Sequence, residues 1–121
     1  MRETTDTAKF EMMPEGHYIF TISKVPEKLK SQATQKIYYK FEFETVVQGK
    51  IKKHIEVFMP WLASELLKAL GATEIEPNKF EWDREAVMGK EIEADLVHEL
   101  DRKDPNKKWP KLKNITERVP F

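Results

Sequence analysis

Residues 36–59 read KIYYKFEFETVVQGKIKKHIEVFM and alternate between two kinds of side chain in each half. Successive side chains of a strand point to opposite faces, so each half is typical of a half-buried strand. In the first half, one face carries Ile37, Tyr39, Phe41 and Phe43, and the other carries Tyr38, Lys40, Glu42 and Glu44. In the second half, the faces are Ile51, Lys53, Ile55, Val57 and Met59 against Lys52, His54, Glu56 and Phe58. The intervening Val46–Lys50 predicts a hairpin turn, because Gly49 supplies the positive φ that a tight turn needs.

The alternation in this hairpin predicts which of its side chains belong to the core of the protein. We expect its buried face to carry Tyr39, Phe41, Phe43, Ile55 and Val57. An isolated two-stranded hairpin is at best marginally stable in water. The flanking segments must therefore supply the elements that cover it.

One strand is predicted before the hairpin. His17–Val25 alternates through Tyr18, Phe20 and Ile22, and Pro26 ends it because proline cannot donate to a strand ladder. Residues 26–35 are polar and are predicted as a connection.

One helix and two further strands are predicted after the hairpin. Pro60 suits the first turn of a helix, which we expect over Trp61–Leu70 with Gly71 as its cap. We expect Trp61 to be a packing residue, with a partner contact as the alternative. The remaining elements are an irregular segment 72–82 with Phe80 and Trp82 packed, a helical turn over Arg84–Met88, a strand over Lys90–His98, a polar loop 99–111 and a strand over Leu112–Val119.

The composition is typical of one small folded domain. The chain has 121 residues, of which 40% are apolar and 35% are charged. We assign the domain to residues 14–121 and expect residues 1–13 to form a flexible segment. No apolar run approaches about 18 residues and the first residues lack the apolar stretch of a secretory signal, so we expect no membrane span and a cytoplasmic location.

No motif of catalytic or cofactor chemistry is present in the sequence. The chain has no cysteine, and His17, His54 and His98 lie in three different predicted strands without ligand spacing. There is no glycine-rich phosphate loop, and no serine stands in a nucleophile motif. We therefore expect no enzymatic activity, no cofactor and no metal.

The formal net charge is zero, but the charges are segregated along the chain. Segments 24–36, 50–53 and 101–113 carry net charges of +3, +3 and +4, whereas segment 74–99 carries −6. A neutral total argues against nucleic-acid binding, whereas basic segments that meet on one face would favour it.

The predicted element order indicates a fold in which the basic segments meet. Five antiparallel strands with a helix between the third and the fourth are the order of an OB-fold, a partly open Greek-key barrel. An SH3-like barrel lacks a three-turn helix at that place. OB-folds bind ligands on strands two and three and on the loops that join strands one and two and strands four and five. These are the three basic segments, so this fold predicts a single basic cleft.

Five short motifs occur in order along the chain: Pro14-Glu15-Gly16-His17-Tyr18, Tyr38-Tyr39-Lys40-Phe41-Glu42-Phe43, Leu66-Leu67-Lys68-Ala69-Leu70-Gly71, Met88-Gly89-Lys90-Glu91-Ile92 and Lys113-Asn114-Ile115. Together they resemble a family of small phage and prophage proteins of unassigned function, over roughly residues 14–119. Members are similar to single-stranded DNA-binding OB proteins and sit among phage replication and recombination genes. The resemblance therefore implies an OB barrel, single-stranded DNA as a partner and phage or host replication or recombination proteins as further partners. The aromatic-rich second strand and the tryptophan in the last loop depart from the family pattern.

The candidate nucleic-acid-binding residues combine aromatic rings with cations: Tyr38, Lys40, Lys50, Lys52, Lys53, Arg102, Lys103, Lys107, Lys108, Trp109 and Lys111. A ring among lysines can stack on a base while the lysines meet phosphates, and stacking is worth about 1–3 kcal/mol per base. Two structural alternatives stay open. Trp109 could fold back over the mouth of the barrel, and Tyr38 and Lys40 could lie on a solvated sheet face with cross-strand lysine–glutamate pairs.

The sequence predicts a single-stranded DNA-binding protein of phage or prophage origin, with little sequence preference and a role in replication or recombination. The rival hypothesis is an OB-type protein-interaction or structural module of a phage that binds no nucleic acid, and the neutral net charge favours it. The rival predicts scattered basic segments and a buried Trp109. A host-directed inhibitor cannot be separated from this rival by sequence, and an exposed strand edge leaves homo-oligomerisation open.

Overall fold

The computed structural model describes residues 2–3 and 13–118, and in these ranges the chain is mainly β with one short α-helix, as predicted. The elements are β1 (Gly16–Ile22), β2 (Glu27–Lys30), β3 (Ile37–Val47), β4 (Lys50–Phe58), a 3-10 turn (Pro60–Leu62), α1 (Ser64–Ala69), β5 (Thr73–Glu76), β6 (Lys79–Glu81), β7 (Glu91–Leu100) and β8 (Lys108–Glu117). The predicted flexible segment 1–13 and the predicted strand end at Val119 fall mostly outside the described residues.

Six strands form one antiparallel sheet, and β5 and β6 form a separate two-stranded sheet. β1 lies between β3 and β7, and β8 pairs with the other edge of β7. β3 carries β4 along one edge, and β2 and β1 follow each other along its other edge. No ladder joins β4 to β8 within residues 13–118, so no closed barrel is detected there.

The strand count differs from the five strands that we predicted. β2 lies in the segment predicted as a polar connection, and the β5–β6 hairpin lies in the segment predicted as irregular. β1 ends at Ile22 rather than at Val25. The additional strands are three or four residues long and mostly exposed, so their apolar alternation is too brief to mark them in the sequence.

A two-residue turn fixes the register between β3 and β4. Val47 pairs with Lys50, which leaves Gln48 and Gly49 as turn residues with φ of 51° and 77°. Positive φ at both central positions is the geometry of a type I′ turn, whose twist matches that of the flanking strands. The turn is therefore shorter than the predicted one over Val46–Lys50.

In this register, the face of β4 that we predicted to be buried is the exposed one. Phe41 pairs with Glu56, and directly paired residues point to the same side of a sheet. His54 and Glu56 are therefore buried, whereas Ile55 and Val57, predicted as core residues, are 52% and 43% exposed.

The hydrophobic core lies between the inner face of the large sheet and α1. Its main side chains are Phe20, Ile22, Phe41, Phe43, Leu66, Leu70, Ile92, Leu96, Leu112 and Ile115. Phe41 and Phe43 are fully buried as predicted, and Phe80 and Trp82 pack against the core as predicted.

A buried polar contact bridges β4 and β8 where no ladder forms. His54 Nε2 lies 2.8 Å from Glu56 Oε1, and the same carboxylate oxygen accepts the Leu112 N–H at 3.0 Å. A buried N–H without an acceptor costs about 1–3 kcal/mol. The Glu56 side chain therefore supplies the hydrogen bond that a neighbouring strand would otherwise supply.

The helical region is shorter than predicted. A 3-10 turn over Pro60–Leu62 comes first, and α1 covers only Ser64–Ala69. Trp61 is 62% exposed, so it is not the packing residue that we predicted. Gly71 follows the helix with a φ of 82°, as expected of a cap, but Arg84–Met88 forms turns rather than a helical turn. No helix in the described ranges is long and apolar enough to cross a membrane.

We expect Glu56→Ala to lower the free energy of unfolding by about 1–3 kcal/mol, because the Leu112 N–H and the His54 ring both lose a buried partner. Glu56→Gln keeps an amide oxygen for the Leu112 N–H and is expected to cost less. Ile55→Thr, at the neighbouring exposed position, is the control, with an expected change below about 0.5 kcal/mol. Urea unfolding measures all three variants. A larger loss for Ile55→Thr than for Glu56→Ala would contradict the register.

Candidate nucleic-acid interface

A cleft of about 1040 Å³ opens between the edges of β4 and β8. One wall is the end of β4, the following Met59 and the 3-10 turn. The other wall is β8 and the β7–β8 loop. The cleft exists because no ladder closes this side of the sheet, and Glu56, which bridges the two edges, forms part of its lining.

Two tryptophans from opposite walls line this cleft. Trp61 belongs to the 3-10 turn and Trp109 to β8, and their exposed fractions are 62% and 48%. Trp109 Nε1 donates to Asp101 Oδ2 at 2.7 Å. Lys36 Nζ lies 5.5 Å from the centroid of the Trp61 ring, which is within cation–π range. Both rings therefore present apolar surface that a flat ligand could cover.

Asp101 orders the β7–β8 loop beside Trp109. Its Oδ1 accepts the Lys103 N–H at 2.8 Å, and its own N–H donates to the Lys107 carbonyl at 2.9 Å. The hydrogen bonds from the Trp109 indole and from the Lys103 backbone hold the pKa of Asp101 below its ordinary value of 3.8. The carboxylate is therefore ionised at neutral pH and keeps the indole in place.

Three cations of the cleft have no carboxylate partner among the described residues. Arg102, Lys103 and Lys111 line the cleft and form no ion pair within the described part of the chain. A phosphate backbone that entered the cleft would meet these three groups beside the two rings.

Four acidic side chains also line the cleft: Glu56, Glu65, Glu99 and Asp101. Three of them already have partners. Glu99 pairs with Lys113, Glu56 contacts His54, and Asp101 accepts the Trp109 indole N–H. Among the described residues, the Glu99–Lys113 contact pairs a carboxylate with an ammonium group, whereas Asp101 keeps its negative charge and opposes an incoming anion.

The structure brings together only part of the predicted site. Arg102, Lys103, Trp109 and Lys111 line the cleft. The other predicted residues do not line it: Tyr38, Lys40, Lys50, Lys52, Lys53, Lys107 and Lys108. Tyr38 and Lys40 belong to β3, Lys50, Lys52 and Lys53 follow the β3–β4 turn, and Lys107 and Lys108 lead into β8.

One of the hairpin lysines, Lys53, forms a lysine–glutamate pair across two strands, as the alternative of a solvated sheet face predicts. Glu42 lies 3.3 Å from Lys53 Nζ and 3.4 Å from Lys24 Nζ. Burial alone would raise the pKa of Glu42, but the two ammonium groups hold it below its ordinary value of 4.5. Lys53 is therefore less available to a phosphate than the cations of the cleft.

The eleven candidate residues did not include Trp61, Lys36 or Lys113, although Lys36 and Lys113 end two of the segments predicted to be basic. The buried residues of α1 begin at Leu66, and Trp61 lies five residues before them. This position was the signal in the sequence that the Trp61 ring lies outside the core. Lys113 lies on β8 two residues after Lys111, and alternate residues of a strand share a face.

No protein-family model matches the chain, and no curated protein matches it in sequence. The resemblance to phage proteins therefore stays a prediction. Among the described residues, no group of three or more histidines and carboxylates is placed to hold a metal ion.

His17 of β1 lies beside two carboxylates of β7. Its Nδ1 is 2.8 Å from Asp95 Oδ1, and its Nε2 is 3.5 Å from Glu93 Oε1. Asn114 Nδ2 donates to the other oxygen of Asp95 at 2.8 Å. The hydrogen bond to Asp95 outweighs desolvation and, together with Glu93, holds the pKa of His17 above its ordinary value of 6.5. Asn114 and then His17 hold the pKa of Asp95 below 3.8.

This network predicts a pH dependence of stability. Because the pKa of His17 is raised in the folded state, its stabilisation is fully present below pH 6.5 and is lost as the pH rises through the folded-state pKa. An NMR titration of the His17 ring is expected to show a pKa above 6.5, and Asp95→Asn is expected to lower it. Glu76→Gln, on the separate small sheet, is the control and should leave it unchanged. A His17 pKa at or below 6.5 in the unmodified protein would contradict the network.

Proposed function

We propose that this protein binds single-stranded DNA with little sequence preference in the cleft between β4 and β8. The observation that carries the proposal is that exposed Trp61 and Trp109 line one cleft with Arg102, Lys103 and Lys111. Single-strand-binding proteins combine aromatic rings, on which bases stack, with cations that meet phosphates. Stacking on a protein ring requires an unpaired base, so the same cleft disfavours a duplex.

An OB-type fold is part of the proposal, and the strand arrangement supports it. β1 lies between β3 and β7 and a helix follows β4. Among the described strands β8 pairs with β7 alone, which leaves the sheet partly open. OB-folds are partly open Greek-key barrels that bind ligands beside the loop joining their last two strands. The β7–β8 loop contributes Arg102 and Lys103 to the cleft, as this assignment requires.

We extend the proposal to a phage or prophage origin and a role in replication or recombination, on the motif resemblance alone. Tyr38, Lys40 and the hairpin lysines Lys50, Lys52 and Lys53 stand as candidates for a further contact along a bound strand, and so do Lys107 and Lys108.

The second candidate function is a protein-interaction or structural module that binds no nucleic acid. The neutral net charge, the acidic side chains in the cleft and the position of the hairpin lysines outside it favour this hypothesis, which predicts scattered basic segments. The 48% exposure of Trp109 counts against it, because this hypothesis predicts a buried Trp109.

Fluorescence anisotropy of a labelled oligothymidine of about 30 nucleotides tests the proposal, with a matched duplex as the competitor. We expect binding that prefers the single strand and weakens steeply between about 50 and 200 mM salt, because phosphate contacts release counterions. Trp61→Ala and Trp109→Ala are each expected to weaken binding by about fivefold to a hundredfold, the loss of one stacked base.

Paired lysine substitutions assign the cations. Lys103→Ala with Lys111→Ala is expected to lower both the affinity and its salt dependence. Lys68→Ala with Lys79→Ala removes the same charge from exposed positions outside the cleft and should change neither. Lys50→Ala with Lys52→Ala reports whether the hairpin also contacts the strand. Absence of binding at low salt would contradict the proposal and leave the interaction module.

A further inference from the structure

A second groove, of about 640 Å³, lies between β1 and the β3–β4 hairpin and shares no lining residue with the cleft. It forms because the ladder between β1 and β3 is short. Only Thr21 with Glu44 and Ile22 with Phe43 are paired. Beyond these pairs, the Thr45 hydroxyl donates to the Ile19 carbonyl at 2.6 Å in place of a continued ladder.

The groove has an aliphatic floor. Ile19, Val46 and Ile51 line it and are 39%, 64% and 69% exposed. Val46 and Ile51 are direct partners across the hairpin, so their side chains lie on the same face. Exposed apolar surface that is rimmed by polar groups marks interaction sites on soluble proteins.

The rim of the groove is acidic and poorly neutralised. Glu44, Glu91 and Glu93 line it. Within the described part of the chain, Glu44 and Glu91 form no ion pair, and Glu93 contacts only His17, at 3.5 Å. Glu42 on the same strand contrasts with them, since two lysines neutralise it. Among the described residues, Glu44 and Glu91 are thus available to a cation from a partner, and Glu93 shares the groove with His17.

We propose that this groove docks a short segment of a partner protein in which lysine or arginine side chains flank aliphatic ones. The aliphatic side chains cover Ile19, Val46 and Ile51, and the basic ones meet Glu44, Glu91 and Glu93. A nucleic acid does not fit, because its phosphates would face three carboxylates. A second copy does not fit either, because a two-fold contact centred on the groove would set two acidic rims against each other. This docking site is independent of the proposed DNA cleft.

Peptide binding tests the inference. The probe is a labelled peptide of alternating lysine and valine, and its matched versions replace every valine by serine or every lysine by glutamate. We expect the lysine–valine peptide to bind and to shift the methyl NMR signals of Ile19, Val46 and Ile51. Each matched peptide is expected to bind at least about tenfold more weakly, because it lacks either the apolar or the charged contact.

Protein variants locate the site. Glu44→Lys with Glu91→Lys, and separately Ile51→Ser, are expected to weaken peptide binding at least about tenfold. Glu74→Lys with Glu76→Lys makes the same charge change on the separate small sheet and is expected to leave it unchanged. Circular dichroism checks that each variant is folded.

Three results would overturn the inference. Equal weakening by the Glu74 and Glu76 control would mean attraction by net charge alone. Equal binding of the serine peptide would mean that the aliphatic floor is not used. Self-association that Ile51→Ser abolishes would make a second copy the occupant. Trp61→Ala is expected to retain peptide binding, so failure of the groove and failure of the DNA cleft are distinguishable.

Discussion

The two-residue turn at Gln48 and Gly49 determines which side of β4 faces the core. Because Val47 pairs with Lys50, every inward residue of β3 meets an even-numbered residue of β4, and Glu56 is placed opposite Phe41 inside the protein. A buried carboxylate is tolerated only when its hydrogen-bonding capacity is used. Glu56 contacts His54 and accepts the Leu112 N–H. A side chain therefore spans the gap between β4 and β8, and the two strands lie farther apart than strands that pair through their backbones. The cleft is the space that this separation leaves.

The same arrangement explains how an open seam can present an ordered surface. Glu56 of β4 holds the edge of β8 through Leu112, and within the wall formed by β8 and the β7–β8 loop, Asp101 holds the indole of Trp109. Asp101 is ionised at neutral pH, and hydrogen bonds to ionised groups are stronger than those between neutral ones. The two contacts fix the walls without filling the space between them. A ring held in advance loses little side-chain entropy when a ligand covers it, which favours binding.

The sequence predicted both β3 and β4 as strands, but it identified the buried face correctly only for β3, for a physical reason. Ile51, Ile55 and Val57 share one face of β4, and apolar patterning therefore selects that face as the core. Only the length of the turn determines which of the two faces of β4 points to the core. A two-residue turn requires Gln48 to adopt a positive φ, which is uncommon outside glycine, asparagine and aspartate. The part of the site contributed by the β7–β8 loop and β8 was predictable, because its residues are close in sequence. Trp61 was not, because a side-chain bridge, invisible in any local pattern, brings its wall to face Trp109.

The neutral net charge is a poor guide to what this protein binds. Electrostatic interactions in solution are screened beyond about 10 Å at 0.1 M salt, so a ligand responds to the charges near its own site. The cleft and the groove share no lining residue, and each has its own charge balance. Within residues 13–118, Arg102, Lys103 and Lys111 line the first without an ion pair, and Glu44 and Glu91 line the second without one. An anionic strand would therefore meet more repulsion in the groove, where three carboxylates stand beside one histidine, than in the cleft, where four carboxylates and four cations balance.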